Sequence, residues 1–515
     1  GGYVVVITGT VAQVNAALNT LKFSPDANFN DIHALVTGPA RIDAVVSDLG
    51  NSGPAPSLPL TALESVTISV TPVNDAPLIV APTDVNAVED TTKPFVGLDG
   101  IFIDDPDANE LGFTNPQLTV TLHVTHGVLN VGVIPLGNPL DPLDDTTVSG
   151  LGTSTLVISG LRDYVNASLA SLTYTPEANF NDNVAVVTGP AVLSIDVSDN
   201  GNVGLGGAQH AYGSIVIHVE AVNDAPTITA PATATTNEDA TVSIPGVSVA
   251  DVDADEAGHL APQMTVTLTA EHGTVKLLSL AGLTIDAGAN DSATIAISGT
   301  ISAINSALAS LQFHPDADFN DNRGAARIHI DAQDNGNTGV GPLSGWSATR
   351  QTIDVSVAAV NDAPTIVVPA AQITNEDTPI VFSAGAGTQI VVGDVDAFES
   401  GATDQVVVTL TAVNGVLNLA AIGSLLVTGD GTGVVTLTGT LADVALALDG
   451  LTFSPTLHLS GAAQITVAVD DLGNTGLGGA KSDLKTIPIT IIAVADDPTL
   501  SVATPIAGVE GTWIA

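Results

Sequence analysis

Along much of this chain apolar and polar residues alternate one by one. Leu118-Thr119-Val120-Thr121-Leu122-His123-Val124 is the clearest run, and residues 264–269 and 406–411 repeat it. A period of two places every apolar side chain on one face, so each run predicts a half-buried strand. Each is followed by His126-Gly127, His272-Gly273 or Asn414-Gly415 and then by another apolar stretch. That pattern predicts a hairpin turn with positive φ. A different spacing, four then three, marks Val14/Leu18/Leu21, Val165/Leu169/Leu172, Ile304/Leu308/Leu311 and Val444/Leu448/Leu451. It predicts one short helix per recurrence, packed along a sheet edge because so few turns do not stand alone. About seven strands per recurrence, separated by close-set turns, predict a β-sandwich.

The recurrence has a marker. Val73-Asn74-Asp75-Ala76-Pro77 returns as Val222-Asn223-Asp224-Ala225-Pro226 and Val360-Asn361-Asp362-Ala363-Pro364, and closes as Val494-Ala495-Asp496-Asp497-Pro498. The spacings of 149, 138 and 134 residues are too long for solenoid repeats and fit whole domains in tandem. The expected division is 1–75 as the C-terminal half of a unit, 76–224, 225–362 and 363–496 as complete units, and 497–515 as the start of another. The opening Gly-Gly-Tyr and the closing Trp513-Ile514-Ala515 read as the ends of a window cut from a longer polypeptide.

Composition removes several function classes. Ten Lys and Arg against 55 Asp and Glu leave a formal charge of −45. A nucleic-acid binder needs a basic stripe, and anionic lipid repels such a surface. With 45% hydrophobic residues the chain is not a disordered acidic tail. Phe, Tyr and Trp number 11, 4 and 2, too few for stacking platforms along a sugar or single strand. Cysteine is absent, which excludes disulfides and thiolate metal sites. No run approaches the roughly 18 apolar residues of a membrane span.

The acids keep register. A glutamate falls 14 residues after each marker aspartate: Asp75 to Glu89, Asp224 to Glu238, Asp362 to Glu376, Asp496 to Glu510. Aspartate follows three of them (Asp90, Asp239, Asp377). Next comes an Asp-rich loop, with Asp104 and Asp107, Asp251 and Asp253, and Asp394 and Asp396. Later stands Phe-Asn-Asp, ending at Asp31, Asp182 and Asp321, and then an Asp-led Gly-Asn turn at Asp48, Asp199, Asp334 and Asp471. Carboxylates held this close repel unless a cation sits among them. Oxygen ligands on short loops, without cysteine, point to Ca²⁺ rather than Zn²⁺ or copper, and Mg²⁺ prefers fewer carboxylates and more water.

The order Glu, Asp-x-Asp, acidic pair, Asp-x-Gly, Val-Asn-Asp-Ala-Pro resembles cadherin repeats, in particular the bacterial cadherin-like tandem repeats of giant secreted adhesins. Ile195-Asp196-Val197-Ser198-Asp199-Asn200-Gly201 followed by strand 214–219 resembles the closing half of such a domain. The helix followed by Thr175-Pro176-Glu177-Ala178-Asn179-Phe180-Asn181-Asp182 resembles the bacterial branch. The resemblance implies several Ca²⁺ ions at inter-domain junctions. For the middle junction it implies Glu89, Asp182, Asn223 and Asp224 from one side, and Asp251, Asp253 and Asp334 from the other. By the same order it implies Asn74, Asp75, Asn361, Asp362, Glu376 and Asp496 at the remaining markers. Residues 457–460 replace Phe-Asn-Asp and Ala495 replaces the linker Asn before Asp496, so that junction is expected to lose its ions first.

Signals for an enzyme dissolve on inspection. Gly476-Leu477-Gly478-Gly479-Ala480-Lys481-Ser482 lacks the final Gly of a phosphate-binding loop. Asp251-x-Asp253-x-Asp255 lacks the turn Gly of an EF-hand, since Glu256 stands there. His123-x-x-His126 loses its first His to Thr269 in the next recurrence. The expectation is therefore an all-β array of tandem cadherin/Ig-like sandwiches, each with one short helix, drawn out as a rod. It would serve as a calcium-rigidified stalk of a secreted bacterial cell-surface adhesin, with neighbouring repeats of the same chain as partners. The rival is a self-assembling extracellular layer, matrix or filament built by lateral or homotypic contacts. An adhesin head binding a cell-surface ligand would need a unit that departs from the repeat, and only the insertion 135–145 does.

Overall fold

The computed structural model describes residues 3–32, 38–51, 54, 58–109, 117–135, 146–182, 189–201, 204–255, 263–335, 348–399, 404–473, 475–498 and 500–501. The expected stub with Glu510 falls almost wholly outside these residues, as does the insertion 135–145. The chain divides into two compact units. One is Gly1–Ala225 with Asp251–Pro262 and Gly336–Ser347; the other is Pro226–Ala250, Gln263–Asn335 and Ala348–Ala515.

The first unit opens with helix α1 (Val11–Leu18), capped by a reciprocal Thr10–Gln13 box, and the antiparallel pair β1 (Ala40–Ser47) and β2 (Thr61–Ile68). Val45, Leu63 and Val66 on this pair are exposed. A complete sandwich follows. Its strands are β3 (Leu78–Val80), β4 (Asp84–Val88), β5 (Lys93–Pro94), β6 (Phe102–Asp104), β7 (Gln117–Val124), β8 (Val128–Val131), β9 (Thr147–Ser149) and β10 (Thr155–Leu161). After helix α2 (Arg162–Leu169) come β11 (Leu172–Thr175), β12 (Ala191–Ser198) and β13 (His210–Glu220).

These strands form a six-stranded sheet in the order β4-β13-β12-β7-β10-β9, a three-stranded sheet β5-β11-β8 and a pair β3-β6. All neighbours are antiparallel except β4 with β13. The alternation does what it predicts. Leu118, Val120, Leu122 and Val124 of β7 are buried, and they pack with Leu156 and Ile158 of β10 and with Leu129, Leu172 and Tyr174 of the smaller sheet. The second unit repeats this strand order twice, between residues 227 and 358 and between 365 and 492, each around its own apolar core. The protein is a tandem series of β-sandwiches.

Two details differ from the sequence reading. Among the described residues each complete sandwich has eleven strands rather than seven, because the additional ones, such as β3, β5, β6 and β9, are two or three residues long and too short to alternate visibly. The His-Gly turns do not close hairpins. They carry the chain from the six-stranded sheet into the three-stranded one, β7 into β8 and Gln263–Glu271 into Gly273–Leu277. Positive φ does occur there, at His272 and Asn414, but the glycine is required by close approach. A Cβ on Gly273 would lie 2.5 Å from the His314 carbonyl and 2.6 Å from the Phe313 ring. His126 and His272 stack on Phe180 and Phe319, with centroids 4.4 and 4.3 Å apart.

The helix joins the same two sheets. In α2, Val165 and Leu169 are buried, while Leu172 of the same apolar spacing is already the first residue of β11. The helix covers an edge, as expected, but that of the two-stranded sheet. The Asn166 amide accepts from the Ile103 N–H and donates to the Ile103 carbonyl, both at 2.8 Å, in place of a neighbouring strand. Asn305 does the same for Val249 at 2.8 and 2.9 Å, whereas Ala445 stands at this place in the last sandwich. Asn305→Ala strips two partners from a backbone unit that is half-buried. A loss of about 1–3 kcal/mol is expected, read as a lower urea midpoint at unchanged slope.

Candidate metal centre

At each of the first three markers the linker aspartate is held by its backbone. The N–H of Asp75 donates to Asp107 Oδ2 at 2.6 Å, that of Asp224 to Asp253 at 2.7 Å, and that of Asp362 to Asp396 at 2.5 Å. The receiving aspartate in turn donates its own N–H to an acid two residues earlier. These bonds run from Asp107 to Asp105, Asp253 to Asp251 and Asp396 to Asp394, at 2.8, 3.0 and 2.9 Å. The first Asp-rich loop therefore places Asp105, not Asp104, at the position of Asp251 and Asp394. Asp104 accepts from the Asp105 N–H and pairs with Arg162.

The linker asparagine links this loop to the Asp-x-Gly turn. Asn74 donates from Nδ2 to Asp199 Oδ2 at 2.6 Å, and Asn361 to Asp471 Oδ2 at 2.8 Å. The other oxygen of each aspartate clamps its own turn. Asp199 Oδ1 accepts from the N–H groups of Gly201 and Gln209, and Asp471 Oδ1 from those of Gly473 and Lys481. Asp48 clamps Gly50 and Leu60 in the same way, and these bonds hold its carboxyl below the ordinary range. Asp334 is fully buried, and Asn223 donates to the Asp224 carbonyl at 3.2 Å.

The register glutamates point toward the linkers. Glu238 accepts from the Val360 N–H through Oε1 and from Asn320 Nδ2 at 2.8 Å through Oε2. Glu89 accepts from Asn181 at 2.5 Å, and Glu376 from the Val494 N–H at 2.6 Å. In Phe-Asn-Asp it is thus the asparagine that meets the cluster. The aspartate faces the last strand instead. Asp31 accepts from the Val70 N–H and the Ser69 hydroxyl, Asp182 from the Val219 N–H beside His218, and Asp321 from the Val357 N–H and the Ser356 hydroxyl. These three carboxylates stand outside the clusters.

Among the described residues four groups of side chains bring ligand atoms within 4.8 Å of one another: Glu89/Asp90/Asp224, Glu238/Asp396/Glu399, Asp239/Asp318/Asp362 and Asp377/His458/Asp496. Asp90, Asp239, Asp318, Asp377, His458 and Glu399 were not singled out as ligands from sequence. Glu399 had a legible signal, since Asp-x-Asp-x-x-Glu recurs as Asp105 to Glu110, Asp251 to Glu256 and Asp394 to Glu399. In the last group His458 occupies the turn position of Asp318. Both have positive φ, and each donates its N–H to the aspartate after the register glutamate.

The electrostatics of the third marker are severe. Asp362 Oδ2, Asp394 Oδ2 and Asn361 Oδ1 are buried and accept no hydrogen bond, and Asp224 Oδ2 is in the same state at the second marker. Burial, then the carboxylates of Asp394, Asp362 and Glu399, pushes the Asp396 carboxyl up to about 6. Burial is also the first cause that raises Glu238, Asp362, Asp394, Asp224 and Asp105. A buried oxygen without a donor carries its full desolvation cost. A hard divalent cation would satisfy several at once. The donor set of the first three clusters is all oxygen and rich in carboxylates, which suits Ca²⁺. Mg²⁺, which keeps several waters and takes one or two carboxylates, fits less well.

No family model and no curated protein matches the sequence. Solved structures that align with it include mouse Cadherin-23 EC22-24, at 15% identity and TM-score 0.30, over 82% of this chain and 100% of that one. Mouse Protocadherin-24 EC1-3 aligns at 14% identity and TM-score 0.27, over 81% and 98%. The human Desmocollin-1 ectodomain aligns at 13% and 0.22, over 86% and 65%.

Proposed function

We propose that the acidic clusters at the markers take up Ca²⁺, and that the chain is a calcium-rigidified extender, the stalk of a secreted bacterial surface adhesin. On this reading 76–224, 225–362 and 363–496 are its complete domains. The observation that carries the proposal is the set of buried carboxylate oxygens without donors, Asp224 Oδ2, Asp362 Oδ2 and Asp394 Oδ2. At the third marker Glu238, Asp362, Asp394, Asp396 and Glu399 would hold the ions, with Asn361 and Asp471 completing the oxygen set. The ion supplies no chemistry beyond charge and coordination. What it does is fix the linker aspartate, the Asp-x-Asp loop and the register glutamate as one body. The clusters recur at the second, third and fourth markers instead of forming one singular site, which suits mechanical work rather than catalysis. No helix among the described residues is long and apolar enough to cross a membrane. Modules of this ligand type match the millimolar calcium outside cells, roughly 10⁻⁴–10⁻³ M in affinity.

Solution scattering tests the reading. A single globule of this length would have a radius of gyration of roughly 24 Å. Sandwiches about 40–50 Å long, arrayed end to end, should give roughly 50 Å in calcium, and chelation should broaden the distance distribution as the junctions bend. A profile unchanged by chelator, or a compact one in calcium, contradicts the proposal.

A further inference from the structure

Positive charge is scarce in this chain, and one arginine is spent on a buried carboxylate. Among the described residues the ion pairs lie along the surface, with acid side chains 25% or more exposed, except that of Arg323 with Glu399, whose side chain is 1% exposed. Arg323 Nε stands 3.4 Å from Glu399 Oε1, and a terminal guanidinium nitrogen donates to the Val395 carbonyl at 3.1 Å, between Asp394 and Asp396. The same Oε1 accepts from Asn320 Nδ2 at 2.5 Å, and that amide also reaches Glu238 Oε2. The guanidinium is thus fixed against the Glu238/Asp396/Glu399 cluster. At the corresponding places after the earlier Asn-Asp pairs stand His33 and Val184.

We propose that Arg323 is a tethered counter-ion of this cluster, one that competes with a divalent cation for the same carboxylates. The proposal rests on the calcium reading above. Guanidinium is charged at every working pH, so its positive charge is always present beside Glu399. Two cations drawing on one set of carboxylates oppose each other, and linkage makes the opposition mutual. Arg323 therefore steadies this junction when calcium is low and weakens the binding of calcium to it. At the first marker the nearby guanidinium, that of Arg162, pairs with the exposed carboxylate of Asp104 and not with a buried one.

Hydrogen exchange of the full-length chain, followed peptide by peptide across a CaCl₂ titration, separates the junctions. Segments 318–323 and 391–399 report on this cluster, and segments 72–76 and 104–109 on the first marker. In Arg323→Gln the calcium midpoint of the first pair should fall about fivefold or more, a coupling of ordinary size, while their calcium-free protection decreases. The first-marker midpoint should stay put. Arg323→Lys, which keeps the charge, should shift less than Arg323→Gln. Arg327→Ala, which removes an exposed arginine paired with Asp354 and Glu271, should leave the midpoint unchanged. An unshifted or raised midpoint in Arg323→Gln, or an equal shift in Arg327→Ala, overturns this proposal alone. Calcium that alters protection nowhere overturns the calcium reading and this proposal with it.

Discussion

Withdrawal of calcium should lower the melting temperature of this protein by roughly 5–10 °C. A ligand that binds only the folded state at 100 times its dissociation constant contributes about 2.7 kcal/mol per site. For domains of this size each kcal/mol is about 2–4 °C. The loss should concentrate at the second and third markers, where Asp224 Oδ2, Asp362 Oδ2 and Asp394 Oδ2 have no other partner. Each sandwich has its own apolar core, around Leu122, Leu268 and Leu410, so the sandwiches should stay folded at 25 °C after chelation. Scanning calorimetry with and without chelator measures this, and magnesium at the same concentration should restore only part of it.

The second large effect is a reversal of pH dependence. In the calcium-free protein Asp396 titrates at about 6, above its ordinary 3.8, because burial and its neighbours disfavour the charge. The folded state then binds more protons than the unfolded chain between these values, so stability falls as pH rises. Acidification from pH 7.5 to 5 should stabilise the calcium-free protein by about 1–1.5 kcal/mol through Asp396. Glu238, Asp362, Asp394, Asp224 and Asp105 shift in the same direction. Carboxylates shifted the other way, such as Asp31 and Asp48, withdraw their support only as pH falls toward 3.8, below this window. With calcium bound the sign inverts, since protons now compete with the ion for the same oxygens.

The sandwich was legible in the sequence because β7 and its counterparts alternate over six or seven residues, a signal set by burial of one face. The three-residue strands were not, since a pair such as β3 with β6 is defined by its neighbours and not by its own period. The His-Gly turns were misread for a related reason: positive φ marks a reversal of direction but does not say whether the next strand joins the same sheet. Charge register found the clusters, yet it could not assign individual acids. Asp104 and Asp105 are adjacent, and only the hydrogen bond from Asp107 shows which one belongs to the loop. Spacing is likewise blind to the Val219 N–H that Asp182 accepts, a bond that turns this carboxylate toward the last strand. Asp-x-Asp-x-x-Glu, which leads to Glu399, was present in the sequence and passed over.

Melting temperatures in four buffers test the central claim most directly: protein stripped of calcium and protein saturated with it, each at pH 7.5 and pH 5. The account predicts crossing lines, with acid raising the melting temperature of the stripped protein and lowering that of the saturated one. Parallel lines, or lines that coincide, would mean that the buried carboxylates of Asp362, Asp394 and Asp396 do not hold calcium.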